Sequence, residues 1–276
     1  MVLFPNAKIN LGLNIIRKRP DGYHDLETVF YPLAIQDALE VIKNDSVTEG
    51  VQFTLTGNPV DGKTEDNSCL KAYRLLKKDI PQLPAVKVHL HKTIPAGSGL
   101  GGGSADGAFM LRLLNEKFTL SLSTEQLLSY ALQLGSDCPF FIINKPCFAS
   151  GRGEFLEPLS IDLSGYKLVV ANPGIHVNTA EAFSLVKPSL PSKSINKIIQ
   201  QPVETWKSEL KNDFEISVFK KYPEIGAIKA QMYESGAVYS SMTGSGSSVY
   251  GIFGKGLEVN LDLPLNYFVK ELISQL

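Results

Sequence analysis

The chain has 276 residues, which is enough for one large domain or two modest ones with a full hydrophobic core. Its 27 lysines and arginines and 28 acidic residues leave a net charge of −1, which argues against a polybasic surface for nucleic acid or anionic membrane. Three cysteines without metal-ligand or disulfide-framework spacing, and an opening without a signal-peptide pattern, predict a cytoplasmic protein.

The first half of the chain alternates patterns that are typical of strands and of helices. Strands are predicted at residues 2–16, 26–42, 51–57 and 85–94. Helices are predicted at residues 67–80, 104–118 and 123–134. Asn67 and Ser104 are the predicted N-caps of the first two helices. Ser123 and Gln126 form a capping-box pattern at the third helix, which should end at Gly135.

The composition changes near residues 151–158, and a second series of elements follows. The series starts with the segment 167–174, a strand is predicted at 248–253, and helices are predicted at 193–201, 224–236 and 269–276. The uncharged tract 235–254 is rich in Ser and Gly, which favours a loop between elements over a membrane span. This change predicts two α+β domains, residues 1–155 and 156–276.

The most informative segment is PAGSGLGGGSAD, residues 95–106, which places five glycines in seven positions between a predicted strand and helix. Glycine lets backbone N–H groups approach an anion, and a helix N-terminus adds partial positive charge, so the segment predicts a phosphate site. A mobile surface loop is the ordinary alternative. A P-loop is excluded because Gly103 stands where its lysine would be. A GxGxxG match at Gly97, Gly99 and Gly102 is weak, because no acidic residue ends a strand about 20 residues later.

Three further blocks accompany this loop: Lys8 and Asn10 in an apolar opening strand, GSDCPF from Gly135, and a second glycine loop, MTGSGSSV, from Met242. In this order the blocks resemble the GHMP kinase superfamily, whose ATP-binding signature PxxxGLGGGSA matches Pro95–Ala105. The resemblance spans nearly the whole chain. It implies an α+β fold of two domains, one like domain 2 of ribosomal protein S5 and a ferredoxin-like C-terminal domain.

The opening block AKINLGLNIIRKRPDGYHDLETVF narrows the resemblance. It is similar to members that use ATP and Mg²⁺ to phosphorylate the 2-hydroxyl of a cytidine-diphosphate-linked methylerythritol, on the methylerythritol phosphate route to isoprenoid precursors. Relatives that act on sugars or homoserine lack its Gly-Tyr-His block. The chain is therefore expected to be a small-molecule kinase, with metal ligands that the sequence leaves unassigned.

The resemblance implies that Asp137 accepts the proton of the acceptor hydroxyl and that Lys8 stabilises the developing charge. Taken alone, each residue has an ordinary alternative, a turn or capping aspartate and a solvated lysine. The implied triphosphate contacts are Pro95, Gly97, Ser98, Gly99, Gly101, Gly102, Gly103 and Ser104. The C-terminal loop at Gly244–Gly246 is expected near the phosphates, and Asp106 is interpreted as a first-turn helix acid that favours the dipole.

The resemblance also implies a cytosine site. Tyr23 would stack on the base, His24 would contact its polar edges, and Phe183 would form the opposing wall. Thr179 and Asn10 would be polar contacts to the substrate. Without the resemblance, Tyr23 and His24 are a turn with a packed aromatic ring, and Phe183 is a core residue.

Three other functions stay open at this point. A GHMP kinase for homoserine, mevalonate or a sugar is disfavoured by the Tyr23-His24 block. A nucleic-acid-binding protein is disfavoured by the near-zero net charge, and an inactive ATP-binding relative by the presence of Lys8 and Asp137. The expected partners are ATP and a small-molecule acceptor, with neither nucleic acid nor membrane, and the expected state is a monomer or weak homodimer.

Overall fold

The structure is a computed structural model that describes residues 1–47 and 50–273. The chain divides into two compact units. Unit 1 is Met1–Ala7, Leu33–Ala96 and Gly101–Lys145, and unit 2 is Lys8–Pro32, Gly97–Leu100 and Pro146–Leu276. Each unit therefore takes several chain segments, and the boundary near residue 155 stays a prediction.

Strands and helices both contribute to each unit. The strands are β1 (Val2–Leu3), β2 (Asn6–Lys18), β3 (His24–Gln36), β4 (Ala38–Lys43), β5 (Val51–Gly57), β6 (Val86–Lys92), β7 (Cys147–Ser150), β8 (Phe155–Pro158), β9 (Tyr166–Asn172), β10 (Tyr239–Met242), β11 (Val249–Gly254) and β12 (Phe268–Ile273). The α-helices are α1 (Ser68–Asp79), α2 (Gly102–Lys117), α3 (Thr124–Leu134), α4 (Cys138–Ile143), α5 (Thr179–Leu185), α6 (Ile195–Ile198), α7 (Val203–Glu209), α8 (Glu215–Lys221) and α9 (Pro223–Glu234).

Unit 1 contains a mixed sheet in the order β1-β4-β6-β5, in which β4 is antiparallel and β5 parallel to β6. Along β6, Val86, Val88 and Leu90 are buried while the residues between them are more exposed, which confirms the predicted half-buried strand. The apolar face of α1 is also buried, as its helical spacing predicts.

Of the three helix N-caps predicted in unit 1, two are confirmed and one is wrong. The Asn67 side chain accepts a hydrogen bond from the backbone N of Cys69, and both hydrogen bonds of the Ser123 capping box are present. Ser104 is not an N-cap. Helix α2 begins two residues earlier, after Gly101, whose left-handed backbone (φ 75°) provides the start that a glycine allows. Asp106 consequently lies beyond the first turn.

Unit 2 contains the sheet β10-β11-β9-β12 and most residues of a second sheet, β2-β3-β7-β8. Strand β9 is central in the first of these sheets, between β11 and β12, and its residues from Lys167 to Asn172 are buried. Its apolar residues join a hydrophobic core with side chains of α8 and α9, including Val218, Ile225 and Ile228. The loops of unit 2 connect the strands and helices that form this core.

Two predictions in the second half are wrong. Residues 268–273 form β12, antiparallel to β9, rather than a helix, because Val269 and Leu272 pair with strand residues about 100 positions earlier in the chain. The rest of that predicted helix, 274–276, lies outside the described residues. Within the tract 235–254, residues 239–242 and 249–254 form the β-hairpin of β10 and β11, so the loop prediction is wrong for these residues, whereas the strand predicted at 248–253 is confirmed as β11. Within the part of the chain that is described, no helix has the length and apolar character to cross a membrane.

Candidate active site

The buried polar side chains of Lys8 and Asn10 lie on one face of strand β2 in unit 2. The Lys8 Nζ donates a hydrogen bond to Asn10 Oδ1 at 2.6 Å and lies 5.2 Å from the centre of the Phe30 ring. The Asn10 Nδ2 in turn donates to Thr28 Oγ1 at 3.0 Å. Because a charged group is buried only where partners replace its water, this arrangement excludes a solvated surface lysine.

The second glycine loop packs on the middle of the first within unit 2. The Asn10 backbone N donates to Thr243 Oγ1 at 3.0 Å, and Thr243 Oγ1 donates to Gly99 O at 3.3 Å. The backbone N of Ser248 donates to Ser98 O at 3.0 Å. The Thr243 hydroxyl therefore joins β2 to both loops. Sequence reasoning missed this residue, although it stands at the start of the loop that was singled out.

Gly99 allows this close approach. Its φ is +79°, and a Cβ at this position would lie 2.3 Å from the carbonyl oxygen of Thr243. Any other residue would combine an unfavourable backbone conformation with a backbone clash. The glycine is required by the packing of the two loops, independently of any ligand.

The beginning of α2 supplies the other part of the glycine segment, in unit 1. The first N–H groups of a helix have no partner within the helix, so they are free to bind an anion. A Cβ on Gly103 would have no heavy atom within 4 Å, so open space adjoins this first turn. These residues fit a phosphate group, as the signature predicts.

Asp137 lies between α3 and α4 in unit 1, half-buried, as the N-cap residue of α4. Its backbone (φ −83°, ψ −16°) is helical rather than extended, unlike that of an ordinary capping aspartate. The next residue, Cys138, is hydrogen-bonded through its thiol to the Ser104 side chain in the first turn of α2. Unit 1 thus places Asp137 next to a residue that contacts the predicted phosphate-binding turn. Burial raises the pKa of the Cys138 thiol to about 12, so this thiol is neutral.

The predicted cytosine residues lie on unit 2 in an arrangement that the sequence does not predict. The rings of His24 and Phe183 are stacked, with centres 5.0 Å apart and planes 21° apart. Tyr23 is exposed, and the Arg152 guanidinium lies 4.8 Å from the centre of its ring. Burial, with a smaller effect of Lys18, lowers the pKa of His24, so its imidazole is neutral at pH 7.

Thr179, at the start of α5, lies within hydrogen-bond distance of the second glycine loop, with its Oγ1 3.0 Å from Ser245 Oγ. Unit 2 therefore brings Asn10 and Thr179 to the second glycine loop, and Lys8 is hydrogen-bonded to Asn10. His24 stacks on Phe183, which also packs edge-to-face on Phe214. Across residues 1–47 and 50–273, no group of three or more His, Cys, Asp or Glu side chains is arranged to hold a metal ion.

Comparison with known proteins assigns the class. The family model described as GHMP kinases N terminal domain matches residues 67–145, which include the glycine segment and Asp137. The model described as GHMP kinases C terminal matches residues 196–260, which include Thr243. With the relatives described next, these matches show that the chain belongs to the GHMP kinases, the ATP-dependent kinases of small molecules.

Individual relatives and solved structures indicate which kind of GHMP kinase this chain is similar to. A protein of Bacteroides fragilis named 4-diphosphocytidyl-2-C-methyl-D-erythritol kinase is 55% identical over 254 residues, or 92% of each chain. A crystal structure of 4-(cytidine 5′-diphospho)-2C-methyl-D-erythritol kinase matches with a TM-score of 0.78 at 31% identity, over 91% of this chain and 90% of that one. The mevalonate kinase of Methanococcus jannaschii, with a TM-score of 0.70 at 11% identity over 98% of this chain and 97% of that one, shares the fold alone. The predicted superfamily and its α+β fold are confirmed.

Proposed function

We propose that this chain transfers the γ-phosphoryl group of ATP to the 2-hydroxyl of 4-diphosphocytidyl-2-C-methyl-D-erythritol, giving the 2-phosphate and ADP. The observation that carries the proposal is the 55% identity, over 92% of both chains, to a relative with that name. The reaction belongs to the methylerythritol phosphate pathway of isoprenoid precursor biosynthesis. Cytoplasmic location and a monomeric or weakly dimeric state stay predictions from the sequence.

The triphosphate binds, in this proposal, to the glycine segment. The N-terminal amides of α2 donate to phosphate oxygens, and Gly103 leaves the space that the phosphate occupies. The remaining contacts are those of the signature: Pro95, Gly97, Ser98, Gly99, Gly101, Gly102 and Ser104. Bound Mg²⁺ supplies charge neutralisation on the phosphates. The Ser104 hydroxyl, in the first turn of α2, is our candidate for orienting that ion.

Asp137 and Lys8 act on the reacting atoms. As the acceptor oxygen bonds to the γ-phosphorus, the bond from that phosphorus to the bridging oxygen of ADP breaks, and the hydroxyl proton passes to the Asp137 carboxylate. The buried ammonium of Lys8 stabilises negative charge on the reacting oxygens, where little water competes. Asn10 positions that ammonium through its 2.6 Å hydrogen bond.

The aromatic side chains of unit 2 bind the cytosine. His24 stacks on Phe183, which also packs edge-to-face on Phe214, so in this proposal the pair binds the base through the neutral imidazole, which can donate one hydrogen bond and accept another at the edge of the base. Tyr23 is exposed and available for stacking. Stacking on aromatic residues contributes about 1–3 kcal/mol per base in single-stranded nucleic acids, which is enough to distinguish acceptors with and without the base.

The proposal is tested by ADP release from Mg-ATP with a panel of acceptors. The panel contains 4-diphosphocytidyl-methylerythritol, methylerythritol phosphate without cytidine, homoserine, mevalonate and galactose. We expect turnover with the cytidylated acceptor alone, and a raised KM for that acceptor in Phe183→Ala. Turnover with homoserine, mevalonate or galactose would assign another kinase, and turnover without cytidine would remove the cytosine roles of Tyr23, His24 and Phe183.

A further inference from the structure

Unit 1 contains a buried cluster of three charged side chains, Asp37, Lys92 and Asp106, that the proposed reaction does not use. Their side chains are 0%, 3% and 4% exposed, respectively. The Lys92 Nζ donates a hydrogen bond to Asp106 Oδ2 at 2.7 Å and another to Asp37 Oδ2. One ammonium therefore joins two carboxylates from different parts of the chain.

The cluster holds the incoming stem of the glycine segment, residues 92–94. Lys92 is the last residue of β6, and the two residues after it lead into Pro95. The Asp37 Oδ1 accepts hydrogen bonds from the backbone N of Thr93 at 2.6 Å and of Ile94 at 2.9 Å. Asp37 thus fixes the backbone at the point where the strand ends and the loop begins.

The cluster also holds the outgoing stem, residues 102–106. Asp106 is in α2, and a Cβ on Gly102, the first residue of that helix, would lie 3.2 Å from Lys92 Nζ and 2.9 Å from Ile94 Cγ2. The first turn of the helix therefore packs directly on the ammonium and on the incoming stem. The Cys69 thiol donates to the backbone O of Asp106 at 3.6 Å and supports the same turn.

The charges of the cluster are poorly suited to stabilising the fold. Two carboxylates share one cation, and Asp106 Oδ1 is buried without a hydrogen-bond partner. Burial raises the pKa of Asp106 to about 7, against the effect of Lys92 and with a further contribution from Asp37. Buried ionic groups of this kind are often replaced by apolar residues with no loss of stability. What distinguishes the cluster is its geometry, because its contacts join both stems of the glycine segment.

We infer that Asp37, Lys92 and Asp106 are positioning residues that hold the two stems of the glycine segment at the separation required for nucleotide binding. The inference rests on the part of the proposed function that assigns the triphosphate to residues 95–104. It predicts that disturbing the cluster weakens nucleotide binding and leaves acceptor binding unchanged.

The test uses two separate variants, Lys92→Met and the isosteric Asp106→Asn, and the second keeps the Asp37–Lys92 pair. ADP affinity is measured by calorimetry without any acceptor, and KM is measured separately for ATP and for the cytidylated acceptor. We expect Lys92→Met to raise both the ADP Kd and the KM for ATP about tenfold or more, with the acceptor KM within about twofold. Because ADP binding is read without an acceptor, a wrong acceptor assignment would leave this test interpretable.

Leu76→Ala, a buried apolar truncation in α1 of the same unit, is the matched control for lost stability. An unchanged ADP Kd in both cluster variants would overturn the inference. The same holds if Leu76→Ala, at an equal loss of stability, weakens ADP binding as much as Lys92→Met does. In either case the cluster would contribute only to folding.

Discussion

Lys8 is a buried cation on a strand, and the structure explains how it is retained. Its ammonium is hydrogen-bonded to Asn10 and lies near the face of the Phe30 ring, which together replace part of its hydration. The cost of burying this charge indicates a requirement beyond stability, and the proposed role in phosphoryl transfer provides one.

Lys8→Met should lower kcat by about 10²- to 10³-fold, the usual loss when one preorganised charge-stabilising group is removed. ADP affinity should change little, because the α2 amides remain. Lys43→Met, which removes an exposed lysine paired with Asp45, is the control and should keep full activity. Steady-state kinetics and ADP titration measure both effects. A Lys8→Met enzyme with wild-type kcat would contradict the role.

Asp106 should make stability depend on pH. Since burial raises its pKa from 3.8 to about 7, folding favours the protonated form. This stabilisation is fully present below pH 3.8 and is lost as pH rises through about 7. Burial lowers the pKa of Lys92, but Asp106 and Asp37 outweigh that effect and raise it, so Lys92 stays charged over this range.

The free energy of unfolding in urea, measured at about pH 5 and pH 8, tests this expectation. Asp106 should account for a loss on the order of 2 kcal/mol between the two values, and Asp106→Asn should remove that part. An identical pH dependence in the wild type and the variant would show that Asp106 is already ionised at pH 5.

At the scale of elements, Gly99 in the first glycine loop and Gly103 in α2 are required for different physical reasons. Gly99→Ala should lower stability by about 2 kcal/mol or more and weaken ADP binding, because its Cβ would clash with the Thr243 carbonyl at a positive φ. Gly103→Ala should raise stability by up to about 1 kcal/mol through helix propensity, yet weaken ADP binding by filling open space. Urea unfolding and ADP titration measure both.

These two variants separate packing from ligand binding. Unchanged stability in Gly99→Ala would contradict the close contact between the loops. Wild-type ADP affinity in Gly103→Ala would contradict the assignment of a phosphate to the first turn of α2.

Elements defined by local physics could be predicted, and elements defined by distant partners could not. The alternation of β6 and the Ser123 capping box are complete within a few residues. Strand β12 forms by pairing with β9. In the β10–β11 hairpin, serine side chains are buried and hydrogen-bonded within the hairpin, as when Ser240 Oγ donates to Tyr250 O at 2.9 Å. The local pattern of residues 269–276 therefore suggested a helix, and the Ser- and Gly-rich composition of 235–254 suggested a loop, although the strand predicted at 248–253 is confirmed as β11.

The candidate site shows the same division. Lys8, Asp137 and the glycine segment were found through contiguous motifs. Thr243 and the buried Asp37–Lys92–Asp106 cluster depend on contacts between residues far apart in the sequence, which no local pattern reports. The resemblance implies that His24 and Phe183 belong to one site, but the direct stacking of their rings, across 159 positions, is not predicted by any local pattern.

At the scale of the whole molecule, the proposed functional residues come from both units. Lys8 and Gly97–Leu100 belong to unit 2, whereas Gly101–Ser104 and Asp137 belong to unit 1. The glycine segment itself passes from one unit to the other. We therefore expect activity to require both units, with transfer to one hydroxyl and Asp137 as the base.

The most direct test is transfer of labelled γ-phosphate from ATP to 4-diphosphocytidyl-methylerythritol, with the product position assigned by NMR, for the wild type and Asp137→Asn. We expect a 2-phosphate product in the wild type. Transfer should be at least about 10²-fold slower in Asp137→Asn, with ADP affinity preserved. Transfer by Asp137→Asn at the wild-type rate would exclude Asp137 as the base, and a wild-type product phosphorylated elsewhere would exclude the 2-hydroxyl as the acceptor.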